Sequence, residues 1–537
     1  MSLISFLHRL LRRPTTPPVT HTLICGASRS GKSEAELSHL VPLARAGQTA
    51  IIVMDPPGTL AQKFLLHLDA LGIADRVVYD RLADTDRVPG YDWLLPSANP
   101  DPLQREAEND ERVREFAAIL LRRRRIHDPA LTPVIEEGLL AALGLYLAQR
   151  SPCPLPWVAD AFDLGSKERA YLLAHCTEPK LVRKFQDYAA LSPTARRAET
   201  GPAERILRAV CLSPAFRVRS GSATIDLGRF LDEKGILILD GSSRGNLSRD
   251  AAAVMMGAVL LRVIQHCRSG AKGRVALVLD EAVNAGLIGV HESQALSEAG
   301  KWGLEFHILI QNPFSFANEE IRGNVLQNCW RHEWFRQGSP EAARLAAEDV
   351  GTPILDPLKI HHVEYRIRTA DAGYDRVHTT STSKSVDGRG QYGRSSASNT
   401  ALWPRRKEVT DKQPRYTALN DQLLLIQKEL MLLKPGYRFV RCDRITHTPE
   451  YVPMLRDPWS VRERYGRSMT APRAAEGKFG EILEAMKQRP VFRSPAPPAP
   501  DSAAHTAHQG AAASLLREEA ENPSNREAGS ASSPNAH

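Results

Sequence analysis

His21-Thr22-Leu23-Ile24-Cys25-Gly26-Ala27-Ser28-Arg29-Ser30-Gly31-Lys32-Ser33 decides the fold. A short strand-like run over His21–Cys25 feeds a loop with glycines at both ends, and a helical pattern follows over Ser33–Ala46. Gly26 and Gly31 let the chain turn tightly, so that successive backbone N–H groups converge on phosphate oxygens. The following helix adds the positive end of its dipole to the same oxygens. Lys32 then reaches the β- and γ-phosphates of a bound nucleotide, and the Ser33 hydroxyl ligates Mg²⁺. Gly26, Ala27, Ser28, Arg29, Ser30, Gly31, Lys32 and Ser33 are therefore the expected nucleotide-binding loop, with ATP and Mg²⁺ the expected cofactors.

Downstream, Thr49–Met54 is an apolar run of strand length that ends at the turn Asp55-Pro56-Pro57-Gly58. Arg76–Asp80 reads as a further strand. From about Asp101 to Ser220 apolar residues recur only at helical spacing, in Arg112–Arg125, Pro133–Gln149, Glu168–His175 and Glu204–Cys211. Strand and helix patterns alternate again through Gly235–Asp240, Asp250–Cys267, Arg274–Leu279, Glu292–Lys301, Leu304–Ile310, His332–Arg336 and Pro340–Val350. Such alternation predicts an α/β fold of the P-loop NTPase (RecA-like) kind, with a mainly parallel sheet and an inserted all-α domain. Thr379–Thr400, rich in Ser, Thr and Gly, reads as a mobile loop, Asn420–Leu433 as a helix and Tyr437–Cys442 as the last strand. Beyond about Arg489 a Pro/Ala/Ser-rich composition predicts a disordered C-terminal tail. The expected boundaries are a basic amphipathic segment 1–20, a P-loop domain in two parts (21–95 and 223–460), an inserted helical domain 96–222, and a tail 461–537.

The strand Arg274–Leu279 ends in Asp280-Glu281, which supplies the second half of the site. Asp280 is placed to act on the metal side, and Glu281 to polarise an attacking water as general base. Gln311 ends the next strand and is placed to sense the γ-phosphate or the lytic water. The run Arg122-Arg123-Arg124-Arg125 offers phosphate contacts to DNA. With 70 basic against 62 acidic residues, the net charge of +8 leans mildly toward anionic partners. Seven scattered cysteines without a CxxC pair argue against a disulfide framework or a zinc site. The apolar runs Ala251–Leu261 and Gly138–Ala148 are too short to span a bilayer. Ser2–Arg13 has the pattern of a short basic helix able to lie on a membrane surface. A cytoplasmic protein without a transmembrane helix is the expectation, with Ser2–Arg13 either touching the inner face of the membrane or packing on its own domain as a frayed or helical end.

The order of these motifs resembles the ring-forming DNA-pumping ATPases of the HerA–FtsK superfamily, and within them the TraG/TraD-type coupling proteins of conjugative type IV secretion. The resemblance spans roughly Thr22–Pro458. It rests on the Gly26–Ser33 loop, the Asp55–Gly58 turn, the helical interruption and Asp280-Glu281-Ala282-Val283-Asn284-Ala285-Gly286. It also rests on Gln311 followed by Val325-Leu326-Gln327-Asn328-Cys329, Ser339–Ala343 leading to Gly351-Thr352, and Tyr451–Leu455. It implies a homo-hexamer that encircles DNA and hands a relaxase- or relaxosome-bound strand to secretion-channel proteins, with ATP between subunits and an arginine supplied in trans. Pro57 stands where the family has a lysine. Lys301-Trp302-Gly303 stands where an Arg-x-x-Gly segment is expected, which leaves Arg29, Arg331 and Arg336 as candidates for the trans arginine. The resemblance leaves two alternatives open: another DNA pump of the superfamily, and a nucleotide-gated adaptor for protein cargo.

Overall fold

The computed structural model describes residues 20–122, 131–221, 223–242, 247–351, 355–386, 392–442, 445–452 and 471–492. Eleven strands are found among them: β1 (Thr22–Cys25), β2 (Thr49–Asp55), β3 (Val77–Arg81), β4 (Ile236–Asp240), β5 (Arg274–Leu279), β6 (Leu304–Ile310), β7 (Arg331–Trp334), β8 (Ile360–Val386), β9 (Tyr392–Tyr416), β10 (Tyr437–Cys442) and β11 (Ile445–Tyr451). The helices of the sheet layers are α1 (Lys32–Ala46), α2 (Thr59–Ala70), α10 (Leu227–Asp232), α11 (Arg249–Arg268), α12 (Val290–Ala299), α13 (Glu319–Asn328) and α16 (Ala471–Lys487). Between β3 and β4 runs a purely helical stretch: α3 (Pro102–Arg122), α4 (Leu131–Leu147), α5 (Lys167–Ala174), α6 (Pro179–Ala190), α7 (Pro193–Glu199), α8 (Gly201–Cys211) and α9 (Pro214–Arg219). The chain divides into two units, the smaller being Ala343–Met431.

In the larger unit nine strands form one sheet in the order β11-β10-β7-β1-β6-β5-β2-β4-β3. The seven strands from β7 to β3 are parallel, and β10 and β11 extend the sheet antiparallel. The sequence expectation of β10 as the last strand is thus corrected: β11 follows and pairs with it. Every residue of β1, β2, β4 and β6 is buried, the uniform pattern expected of strands covered on both faces. α11 is long and apolar enough to cross a membrane by composition alone, yet 78% of its apolar window is buried inside the fold.

The helical stretch docks on the sheet through a buried ion pair. Arg219, with no exposed surface, donates from Nη2 to Asp80 Oδ1 at 2.6 Å and from Nε to Asp80 Oδ2 at 3.0 Å. Its remaining N–H groups reach the Asp84, Ala215 and Arg81 carbonyls, so the buried charge is fully hydrogen-bonded. Trp93 stacks on Phe216 with ring centroids 5.3 Å apart beside this pair. At the far edge α16 lies against β3, where Phe479 meets Tyr79 edge-on at 5.4 Å.

In the smaller unit, β8 and β9 pair antiparallel through nearly their whole length. The residues expected to be a mobile loop, 379–400, are instead arms of this hairpin wherever they are described. α14 (Pro340–Gly351) and α15 (Leu419–Leu432) complete the unit, with Leu423 and Ile426 packed where Gly351 has no side chain.

Candidate nucleotide site

The loop after β1 is pinned at its start. Gly26 N–H donates to the Ile310 carbonyl at the end of β6 (3.2 Å), and Ala27 N–H to the Arg336 carbonyl beyond β7 (2.8 Å). A Cβ at Gly26 would lie 2.5 Å from Phe335 Cβ, and Gly31 caps α1 at φ +113°, so both glycines are required by space and backbone. No side chain caps α1, and its first N–H groups are left to face the loop. Ser28 and Arg29 are exposed, while the buried Ser30 hydroxyl makes no hydrogen bond among the described residues.

Lys32 is buried beneath this loop, its ammonium donating to the Gly26 and Ala27 carbonyls at 2.8 and 3.2 Å. Burial lowers its pKa, and the carboxylates of Asp280 and Glu281 oppose the shift. Strand β5 lies two places from β1, with β6 between, and brings those two acids to the same edge. Asp280 N–H is tied to the Met54 carbonyl at 3.0 Å. Its buried carboxyl is pushed up to about 6, by desolvation first and the Glu281 charge second. On the adjoining strand Asp55 is pushed further, to about 8, by burial and then by Asp280, while its carboxyl accepts from Ala61 N–H at 2.7 Å. The sequence reading treated Asp55 only as the start of a turn.

Glu281 has a left-handed backbone, φ +49°, in the turn 280–286. Gln311 Nε2 donates to its Oε1 at 2.5 Å and Asn284 Nδ2 to its Oε2 at 2.6 Å. The expected base and the expected sensor are thus in direct contact. Asn284, quoted in the sequence only as part of a motif, is an additional orienting group. Glu281 and Asn284 also line a cavity of about 460 Å³ with Pro56, Pro57, Gly241 and Arg249.

The residues fit a magnesium nucleotide. The buried Lys32 and the orphaned Ser30 hydroxyl stand beside the uncapped start of α1, donors of the kind a phosphate needs. Among the described residues no three His, Cys, Asp or Glu side chains form a metal cage. Mg²⁺ needs none, because it is commonly held by one or two protein oxygens together with substrate phosphates and water. Ser33 near the head of α1 and Asp280 after β5 carry side-chain oxygens of that kind.

The arginines divide differently. Arg122 pairs with Glu292 at 2.7 Å, and Arg123, Arg124 and Arg125 lie outside the described residues. Arg331 opens β7, level with Thr22 and so at the opposite edge of the sheet from the loop, and is held by Glu333 at 2.6 Å. Arg29 is an exposed residue of the loop itself, and Arg336 adjoins it through the Ala27 N–H bond to its carbonyl.

A glycine loop at the carboxyl end of β1, facing an acid-ended strand two places along a parallel sheet, defines a P-loop NTPase fold. Among solved structures the chain is similar to the plasmid coupling protein TrwB in complex with ADP and Mg²⁺, with a TM-score of 0.51 and 12% identity, over 91% of this chain and 95% of that chain. It is likewise similar to the bacterial conjugative coupling protein TrwBdeltaN70 in a trigonal form with sulphate, with a TM-score of 0.50 and 14% identity over the same shares. At these identities the likeness is one of fold. No family model and no curated protein matches the chain.

Proposed function

We propose that this chain is an ATP-hydrolysing motor that drives DNA transfer as a coupling protein of type IV secretion. The observation that carries the reading is the Glu281 carboxylate, oriented by Gln311 and Asn284 at the same sheet edge as Lys32. In support stands the fold shared with a plasmid coupling protein that binds ADP and Mg²⁺. Gly26–Ser33 hold the phosphates, and Lys32 leaves its two loop carbonyls for phosphate oxygens. Ser33 and Asp280 hold Mg²⁺, which neutralises phosphate charge when bound. Glu281 accepts a proton from the attacking water as its oxygen bonds to the γ-phosphorus and the bond from that phosphorus to the β–γ bridging oxygen breaks, so that ADP leaves with the electron pair, and Gln311 registers whether that phosphate is present.

The active form is a homo-hexamer, with Arg29 or Arg336 reaching a neighbour's nucleotide. The helical insertion receives the relaxase- or relaxosome-bound DNA, Arg123–Arg125 contact its phosphates, and Ser2–Arg13 rests on the membrane beside the secretion channel. Steady-state ATP hydrolysis of the purified protein, with and without single- and double-stranded DNA, tests the motor. Turnover that rises with DNA supports it. Turnover indifferent to DNA, with nucleotide-dependent capture of a protein partner, replaces it with a cargo adaptor.

A further inference from the structure

The hairpin of β8 and β9 is long for a two-stranded element. At about 3.3 Å per residue its 25-residue strand reaches roughly 80 Å. Two strands alone bury little, and such hairpins are at best marginally stable in water. The arms nevertheless expose large side chains, with Tyr374 70% and Leu402 61% accessible.

Charge along the hairpin is unevenly distributed. In the described residues 376–386 and 392–407 the charged side chains are Arg376, Lys384, Arg394, Arg405, Arg406 and Lys407, with no Asp or Glu. The register sorts these onto faces. Arg376 stands opposite Leu402, His378 opposite Thr400, Thr380 opposite Ser398, Thr382 opposite Ser396 and Lys384 opposite Arg394. Alternate residues of a strand share a face, so this entire ladder lies on one side, together with Tyr374. The other side carries Asp375 opposite Trp403, Val377 opposite Ala401 and Thr379 opposite Asn399, with Arg405 lying 3.8 Å from the Asp375 carboxylate.

The first face thus presents cations at both ends of a hydroxyl ladder and an exposed aromatic ring beside it. Lys384 directly opposite Arg394 is a like-charge cross-strand pair, which destabilises an isolated hairpin and is relieved by an anion. Arg and Lys with Ser and Thr hydroxyls are the groups that contact a sugar-phosphate backbone. An exposed tyrosine can stack on a base that is free of its duplex partner.

We propose that this face of the hairpin binds the backbone of a single-stranded nucleic acid, with Arg376, Lys384 and Arg394 on phosphates and Tyr374 stacked on a base. The choice of a nucleic acid over other polyanions rests on the DNA-transfer reading above. The test is fluorescence anisotropy of a labelled thirty-nucleotide oligo-dT with the full-length chain, titrated across salt. A triple variant (Arg376→Thr, Lys384→Thr, Arg394→Thr) keeps strand-forming residues at every changed position. It should bind at least tenfold more weakly, and its salt slope should fall by about 2, since each single-strand phosphate contact contributes about 0.7. Tyr374→Ala should weaken binding while leaving the slope unchanged. Basal ATP hydrolysis without DNA, unchanged in both variants, confirms folding. Wild-type affinity and slope in the triple variant overturn the hairpin proposal alone. A wild-type chain that binds no oligonucleotide overturns the DNA reading as well. A triple variant that changes the sedimenting assembly but not the slope makes the face a subunit contact and likewise overturns the proposal.

Discussion

Glu281 occupies backbone space that costs a non-glycine residue roughly 1–3 kcal/mol, and two amides hold its carboxylate there. The strain is spent on aim: both oxygens are engaged by neutral donors, so the carboxylate has one orientation rather than several. Removing one donor should therefore impair chemistry more than binding. Asn284→Ala should lower kcat about tenfold, a fraction of what a general base contributes, with nucleotide affinity within about twofold in a fluorescent-nucleotide titration. Gly26→Ala tests the loop differently. Its Cβ would overlap Phe335, displacing the loop from the Ile310 and Arg336 carbonyls, and nucleotide binding itself should be lost. At this scale the sequence was most legible, because the loop, Asp280-Glu281 and Gln311 are local patterns. Asn284 and Asp55 were not read as site groups, since what they touch depends on the turn after β5 and on which strand lies beside it.

Between elements, buried charge does the joining. α1 sends Glu36 to His307 on β6 at 2.8 Å, and His307 also meets Glu305 at 3.3 Å. Burial alone would lower the imidazole pKa, but the two carboxylates outweigh it and carry it up to about 10. Because the folded value exceeds the unfolded value near 6.5, this contribution is complete below about pH 6.5. It declines above that and is gone once pH passes about 10. The melting temperature of wild type should therefore fall more steeply between pH 6.5 and 10 than that of His307→Gln, as followed by circular dichroism. Arg219→Met would leave Asp80 charged and buried, and should cost about 3–5 kcal/mol in denaturant unfolding. Adding Asp80→Asn should restore part of that loss. The sequence hid both devices, since an apolar run such as Leu304–Ile310 reads as a strand whatever its one His and one Glu face. The hairpin was hidden for the opposite reason. With both faces in water it has no alternation of apolar and polar residues, so its Ser/Thr/Gly composition reads as loop.

Over the whole molecule, nine strands bring the carboxyl ends of β1, β5 and β6 to one edge and set the helical insertion between β3 and β4. The alternation of strand and helix made that architecture legible, and the break at Asp101–Ser220 made the insertion legible. The central claim, that Glu281 is the base of an ATPase whose phosphate grip is Lys32, is tested most directly by measuring ATP affinity and single-turnover hydrolysis on the same preparations of wild type, Glu281→Gln and Lys32→Ala. Glu281→Gln should bind ATP like wild type yet hydrolyse it at least ~10²-fold more slowly, while Lys32→Ala should lose affinity and turnover together. Hydrolysis at the wild-type rate by Glu281→Gln would contradict that claim.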